Sequence, residues 1–420
     1  MNLFINKKRY ILKKITLYLL VFICSVCIFG CGDDRKDKIV IWHQMRIDER
    51  LILEEHLQKY MESHPGIKIE ALYKETETLR SGYIIAAIAG QGPDIIYGPS
   101  DQIGPFEVMD IILPLEDYFS EAELDKFNPK GLTYVSGHLY QVADKLGNHL
   151  ALVYNKKLIS KPPDTDIELI EIGKKNTKDL NGNGQPDVYG LVWNYTEPFF
   201  YIPFLSGFGG WVMDRENQPT LYTDENIKGL NFIKELRDVH KIIPRESDYN
   251  IADMLFKEGR AAMIINGDWS WSSYQAAGID IGVYPLPKIQ ATGLYCAPMV
   301  SPKGFSLNVN IPKEKISQVI DVVKYLVDAP QQYVTAQKLN MMPTYKEVLS
   351  YPGLANNEIL KNSERQIEIG KPMPIVSELR AVWDAMRPNY QAVLNGEKTP
   401  RQAAKDMQLL AIKKITEMNE

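Results

Sequence analysis

Lys38-Ile-Val-Ile-Trp42 and Gly92-Pro-Asp-Ile-Ile-Tyr97 bracket the segment that decides the fold. The first is apolar throughout, as a strand buried on both faces of a parallel sheet must be. Between the two, Arg50 to Ser63 sets Leu51, Leu53, Leu57, Tyr60 and Met61 at helical spacing and stops at His64-Pro65-Gly66. Ile67 to Tyr73 alternates apolar and polar residues and predicts a second strand. Leu79 to Gly90 returns to helical spacing, and Gly92-Pro93 breaks it before the short strand Asp94 to Tyr97. Strand, helix, strand, helix, strand with links this short predicts an α/β architecture on a mostly parallel sheet.

Working outward from there, the chain begins with a basic segment, Lys7-Lys8-Arg9 and Lys13-Lys14, ahead of an apolar run from Ile15 to Phe29. The run is short for a membrane span and suits the core of a signal peptide. It ends in Ile28-Phe29-Gly30-Cys31, and a small residue directly before Cys resembles a bacterial lipobox. The expectation is a signal peptide over 1–30 and a product starting at Cys31. Its sulfur would carry lipid, anchoring it to the outer face of the cytoplasmic membrane. Residues 31–37, charged from Asp33 to Asp37, would be the tether. Of the four cysteines, Cys24 and Cys27 would leave with the signal and Cys31 would be acylated. Cys296 then stands alone, so no intramolecular disulfide is expected.

Toward the other end the pattern restarts. Leu150 to Tyr154 predicts a strand, Asn226 to Lys241 a helix, and Ile281 to Pro287 a strand with a proline-rich exit. Ser247 to Trp271 has three parts. Ala252, Leu255 and Phe256 share one helix face, Gly259 offers a left-handed stop, and Ala261 to Ile265 has strand length. Asn266-Gly267 then predicts a turn ahead of Trp269 and Trp271, two rings that are either core plugs or the floor of a cleft, with core the plainer reading of each on its own. The last third is helical: Ile316 to Val327, Tyr333 to Leu339, Val376 to Asn395 and Pro400 to Met418.

A chain of 420 residues exceeds one comfortable core, so two lobes are expected. Lys and Arg total 48 against 53 Asp and Glu, a net charge of −5. That leaves no basic excess for neutralising phosphates, which argues against a nucleic-acid partner. The chain is generous in aromatic rings, with 23 Tyr, 13 Phe and 6 Trp, and sugar-binding surfaces use such rings.

At several places, in order, the chain resembles the extracellular solute-binding proteins of ABC sugar importers, in particular maltose/maltodextrin-binding proteins. The places are Gly92-Pro-Asp-Ile-Ile-Tyr97 with Asp101, Leu152-Val-Tyr-Asn-Lys-Lys-Leu158 with Pro162-Pro163, Glu197-Pro-Phe-Phe200, Ile265-Asn-Gly-Asp-Trp-Ser-Trp271, and Val382-Trp-Asp-Ala-Met-Arg387. The resemblance implies two α/β lobes joined by crossing hinge segments, with the ligand in the cleft between them. Lobe one would take 38–147 and 288–342, and lobe two 148–287 and 343–420. It implies a monomer that captures an oligosaccharide outside the membrane and offers the closed form to the permease subunits of a transporter.

Carried over residue by residue, the resemblance implies stacking of sugar faces on Trp269 and Trp383. Asp101 and Glu197 would accept hydrogen bonds from hydroxyls, and Arg387 would stand at the cleft. Phe199 and Phe200 follow Glu197, with Phe199 where the family prefers Tyr. Arg46 lies near the family's first cleft loop. Gly98 stands in place of a Trp, Gln102 in place of an Arg and Asn148 roughly in place of a Glu. The lobe-one wall is thus expected to be less aromatic and differently charged. On the residues alone, Asp101 also suits a helix N-cap and Arg387 a surface ion pair.

One further motif, Asp179-Leu-Asn-Gly-Asn-Gly-Gln-Pro-Asp187, spaces the oxygen donors Asp179, Asn181, Asn183, Gln185 and Asp187 as a calcium loop does, with Gly184 at the sixth position. The twelfth position is Gly190, and the same residues suit a hairpin turn. No cofactor is otherwise expected. A glycosidase using Asp101 and Glu197, and a sugar sensor without a transporter, are the alternatives. HExxH, GxSxG and P-loop spacings are absent and the six His are scattered, so an enzyme is not expected.

Overall fold

The computed structural model describes residues 38–418; the signal segment 1–30, the tether 31–37 and Cys31 lie outside the described residues. Two sheets organise the chain. The larger runs in the order Met342–Pro343, His138–Leu146, Lys303–Asn308, Ile95–Pro99, Ile39–His43, Ile69–Tyr73. Ile39–His43 pairs in parallel with strands on both sides, which is why Ile39 and Ile41 can be buried and apolar at once. Ile69–Tyr73 is the edge, and it leaves Leu72 and Tyr73 exposed. The smaller sheet runs Ile281–Tyr284, Leu150–Asn155, Ala261–Gly267, Tyr189–Val192.

Each sheet has its own core. Helices Ile47–Ser63, Lys313–Leu326 and Ala329–Leu339 pack Leu53, Leu57, Val319, Val323 and Ala336 onto the first. Helices Asp224–Asp238, Glu378–Leu394 and Pro400–Met418 pack Leu230, Ile233, Val382, Met386, Ala404 and Met407 around the second. Among the described residues no helix is long and apolar enough to cross a membrane.

The chain leaves lobe one at Gly147–His149, returns at Ser301–Pro302, and crosses again through helix Glu358–Ile369 and strand Lys371–Pro372. Ser301 donates its amide to the Gly147 carbonyl at 2.9 Å, and Asn148 Nδ2 donates to Ser301 Oγ at 3.1 Å, so the first two crossings are tied together. Gly147 (φ +124°) and Asn148 (φ +41°) both take left-handed backbone there.

Two lobe limits differ from expectation. Residues 288–300 were assigned to lobe one, yet Lys288–Ile289 pairs with Leu294–Tyr295, and Ile289, Cys296 and Met299 are buried in the lobe-two core. The proline-rich exit at Leu286-Pro287 leads into a hairpin whose Cys296 amide bonds back to the Pro287 carbonyl at 2.9 Å, and the crossing falls later, at Pro302. Cys296 itself is free and buried. Residues 343–357 were assigned to lobe two, yet Met342–Pro343 pairs with His138–Leu146, and Tyr345, Val348 and Leu354 join the lobe-one core.

Candidate binding cleft

Strand Ala261–Gly267 is buried along its whole length and hands the chain to a short 3-10 turn, Asp268–Ser270. Asn266-Gly267 was expected to be a turn, but the strand runs through it and Gly267 is extended (φ −92°). The glycine is needed for a different reason. A Cβ there would lie 2.1 Å from the Trp269 ring, which folds back over it. Trp269 is half-buried, donates Nε1–H to Tyr249 Oη at 3.2 Å, and has the Phe199 ring 6.4 Å away. Trp271, by contrast, is fully buried and stands edge-on to His149.

Glu197 is extended, as a residue before proline prefers, and Pro198 opens a 3-10 turn that seats Phe200 in the core and leaves Phe199 half-buried. Trp383 and Arg387 are one turn apart on helix Glu378–Leu394 and therefore share a face. Arg387 grips Glu197 as a fork, Nε to Oε1 and Nη2 to Oε2, both at 3.0 Å. Arg387 therefore forms an ion pair and also lines the cleft.

The opposite wall belongs to lobe one. Asp101 follows strand Ile95–Pro99 and caps no helix; its Oδ2 accepts from Arg80 Nη2, which reaches over from helix Thr76–Ile88. Arg46 precedes helix Ile47–Ser63 and lays its guanidinium over the Tyr249 ring of lobe two, 4.6 Å from the centroid. Two more contacts bridge the lobes. Arg380 pairs with Glu77, and Ser272 Oγ donates to Asp48 Oδ2 at 2.9 Å.

The eight residues expected at the ligand come together. Asp101 and Arg46 on one side, and Glu197, Phe199, Phe200, Trp269, Trp383 and Arg387 on the other, line a single cavity of about 370 Å³. Asn148 lines it as well. Sequence reasoning missed Arg80, Tyr249 and Lys303, which also line it. Arg80 reads as an ordinary exposed helix residue paired with Glu77, and Lys303 as the polar start of a strand. Only Tyr249, in the first turn of its amphipathic helix, lay near a residue already singled out.

Glu49 and Lys303 line the cavity with further buried charge beside them. Lys145 donates to Glu49 Oε1 at 2.8 Å, with both side chains nearly fully buried. Burial alone would raise the Glu49 carboxyl, but Lys145 and Lys303 outweigh it and hold it at about 2. Asp268 goes the other way: burial pushes it up to about 6 against the pull of Lys303. Lys303 Nζ also lies 5.0 Å from the centroid of the Trp269 ring.

The loop Asp179–Asp187 is exposed and does not line this cavity. Asp179 accepts the amides of Gly182 and Gly184 at 2.7 and 2.8 Å, and Asp187 accepts from Leu180 N and Asn181 Nδ2 at 2.7 and 2.9 Å. Its carboxylates thus close the loop on its own amides. Among the described residues no group of three or more His, Cys, Asp or Glu is gathered that could hold a metal ion.

Comparison with known proteins agrees with this layout. The family profile of the bacterial extracellular solute-binding proteins matches residues 47–333. A maltotriose-binding protein of Pyrococcus abyssi is 29% identical over 372 residues, covering 88% of this chain and 79% of that protein. A maltooligosaccharide ABC transporter solute-binding lipoprotein of Streptococcus pneumoniae is 24% identical, covering 92% and 93%. Among solved structures, the maltose/maltodextrin-binding domain from Bdellovibrio bacteriovorus, bound to maltotriose, is 44% identical with a TM-score of 0.87. That match covers 90% of this chain and 100% of the other. With a two-lobed α/β fold, a lined cleft between the lobes and a profile match over most of its length, this chain belongs to the bacterial extracellular solute-binding proteins.

Proposed function

We propose that this protein binds a maltooligosaccharide in the cleft and presents it to the membrane subunits of an ABC importer. The observation that carries the reading is the pairing of half-buried rings with charged groups in one cavity: Trp269, Phe199 and Trp383 beside the Glu197–Arg387 fork, opposite Asp101. A pyranose has apolar C–H faces and a rim of hydroxyls. Rings cover the faces with little loss of conformational freedom, and ionised groups make the stronger hydrogen bonds to the rim. The names of the Pyrococcus and Streptococcus relatives and the maltotriose in the Bdellovibrio structure support the sugar class. The lipoprotein among those relatives supports a lipid anchor at Cys31, which would hold the protein outside the membrane beside its transporter.

The same geometry disfavours hydrolysis. A glycosidase pair needs one carboxyl free to hand over a proton. Here Arg80 engages Asp101, and Arg387 holds Glu197 through both oxygens.

Calorimetry of the purified chain with maltotriose is the direct test, with a melting curve alongside. Binding in the micromolar range or tighter is expected, about −8 kcal/mol or better, with a raised Tm. No heat and no Tm shift would end the reading. A calcium ion at Asp179–Asp187 rests on donor spacing alone and has its own test, melting with and without EGTA. A Tm lowered by the chelator supports the ion, and an unchanged Tm removes it.

A further inference from the structure

Gly98 and Gln102 stand where the resemblance called for a Trp and an Arg, and the structure shows that the two exchanges are coupled. Gln102 is only 2% exposed and its amide lies against Gly98. A Cβ at position 98 would come 2.4 Å from Gln102 Nε2 and 2.8 Å from Oε1, so the glycine is what lets this side chain lie inward. It does not line the sugar cavity, and neither end of its amide finds a hydrogen-bond partner among the described residues. The position that would have offered a cation beside Asp101 has therefore been turned away from the ligand.

A cation is nevertheless present. Arg80, from helix Thr76–Ile88, binds Asp101 Oδ2 and lines the cavity with it. Asp101 Oδ1 and Arg80 Nε are themselves sealed from solvent, so the pair meets the cavity through the edge formed by Asp101 Oδ2 and the outer guanidinium nitrogens. Trp383, expected to stack on the sugar, lines the same cavity from the other lobe.

We infer that Arg80 is a specificity-determining residue of the cleft, supplying from a different helix the cation that Gln102 no longer provides. With Asp101 it takes two neighbouring hydroxyls of one pyranose, one donating to the carboxylate and the other accepting from the guanidinium. This rests on the carbohydrate reading above. A site that hydrogen-bonds a particular hydroxyl discriminates strongly against an analogue lacking it, because the buried partner is then left unpaired.

The test is calorimetry with maltotriose and a panel of its monodeoxy analogues, on wild type, Arg80→Met and Arg80→Lys. Arg80→Met is expected to weaken maltotriose binding roughly tenfold or more. Arg80→Lys, which keeps the charge without the fork, is expected to recover part of the loss. At least one deoxy position that costs wild type affinity should cost Arg80→Met nothing, a result that a purely structural role for Arg80 does not produce. If Arg80→Met folds poorly, Arg80→Lys with the same panel is read alone, and it should show a reduced penalty at that position. Should wild type fail to bind maltotriose, the carbohydrate reading falls and this inference with it. If wild type binds but the Arg80 variants stay within about twofold, or keep every deoxy penalty, the carbohydrate reading stands and the assignment of Arg80 is overturned.

Discussion

Trp269→Ala is expected to weaken maltotriose binding by roughly ten- to a hundredfold while leaving the protein folded. Stacking on an indole removes a large apolar area from water, and losing about 1.5–3 kcal/mol of that contact corresponds to such a factor. The ring is only half-buried, and its one hydrogen bond, to Tyr249 Oη, joins two residues that line the same cavity, so the lobe-two core loses little. Trp383→Ala should behave alike, because it shares the exposed face of its helix with Arg387 while Val382 and Met386 carry the packing. Trp271→Ala is the contrast: a fully buried ring whose loss should cost about 3–5 kcal/mol of stability. Unchanged affinity in both cleft variants, measured by calorimetry, would remove the two rings from the site.

The second large effect concerns stability. Lys145→Met should cost about 3–5 kcal/mol at neutral pH, because it leaves Glu49 buried and charged without its closest partner. Urea unfolding at constant m-value measures it, and a loss below about 1 kcal/mol would show that Lys303 suffices alone. The acid side of the wild-type profile has a definite sign. Glu49 is depressed from 4.5 to about 2, so its contribution is complete above pH 4.5 and is lost as pH falls toward 2. Asp268 is raised from 3.8 to about 6, so the folded state holds its proton more tightly, and stability from this group declines as pH rises through that interval. As far as these two groups decide, the opposing slopes cancel between the two unfolded values and stability is greatest at about pH 4.

Most of the scaffold was legible because apolar periodicity is a local signal. Ile39–His43, Leu150–Asn155 and the terminal helices all fall where their spacing put them. The crossings were less so. Pro287 and Pro302 look alike in sequence, and only the Lys288–Tyr295 hairpin shows which of them ends lobe two. The lobe-two wall was readable because Glu197, Trp269 and Trp383 sit in contiguous motifs. Arg80 was not, since its meaning comes from Asp101, a residue on another element brought near by the sheet. Gln102 illustrates the same limit from the other direction: the resemblance implied a cleft position for it, and its amide instead lies inward against the bare Cα of Gly98.

Asp268 joins the stacking ring to the crossing. It is the residue before Trp269, it accepts a hydrogen bond from the Asn148 backbone, and a Cβ on Gly147 would sit 2.8 Å from its Oδ2. The half-buried indole that lines the cavity is therefore a single residue along the chain from a carboxylate seated against the crossing peptide.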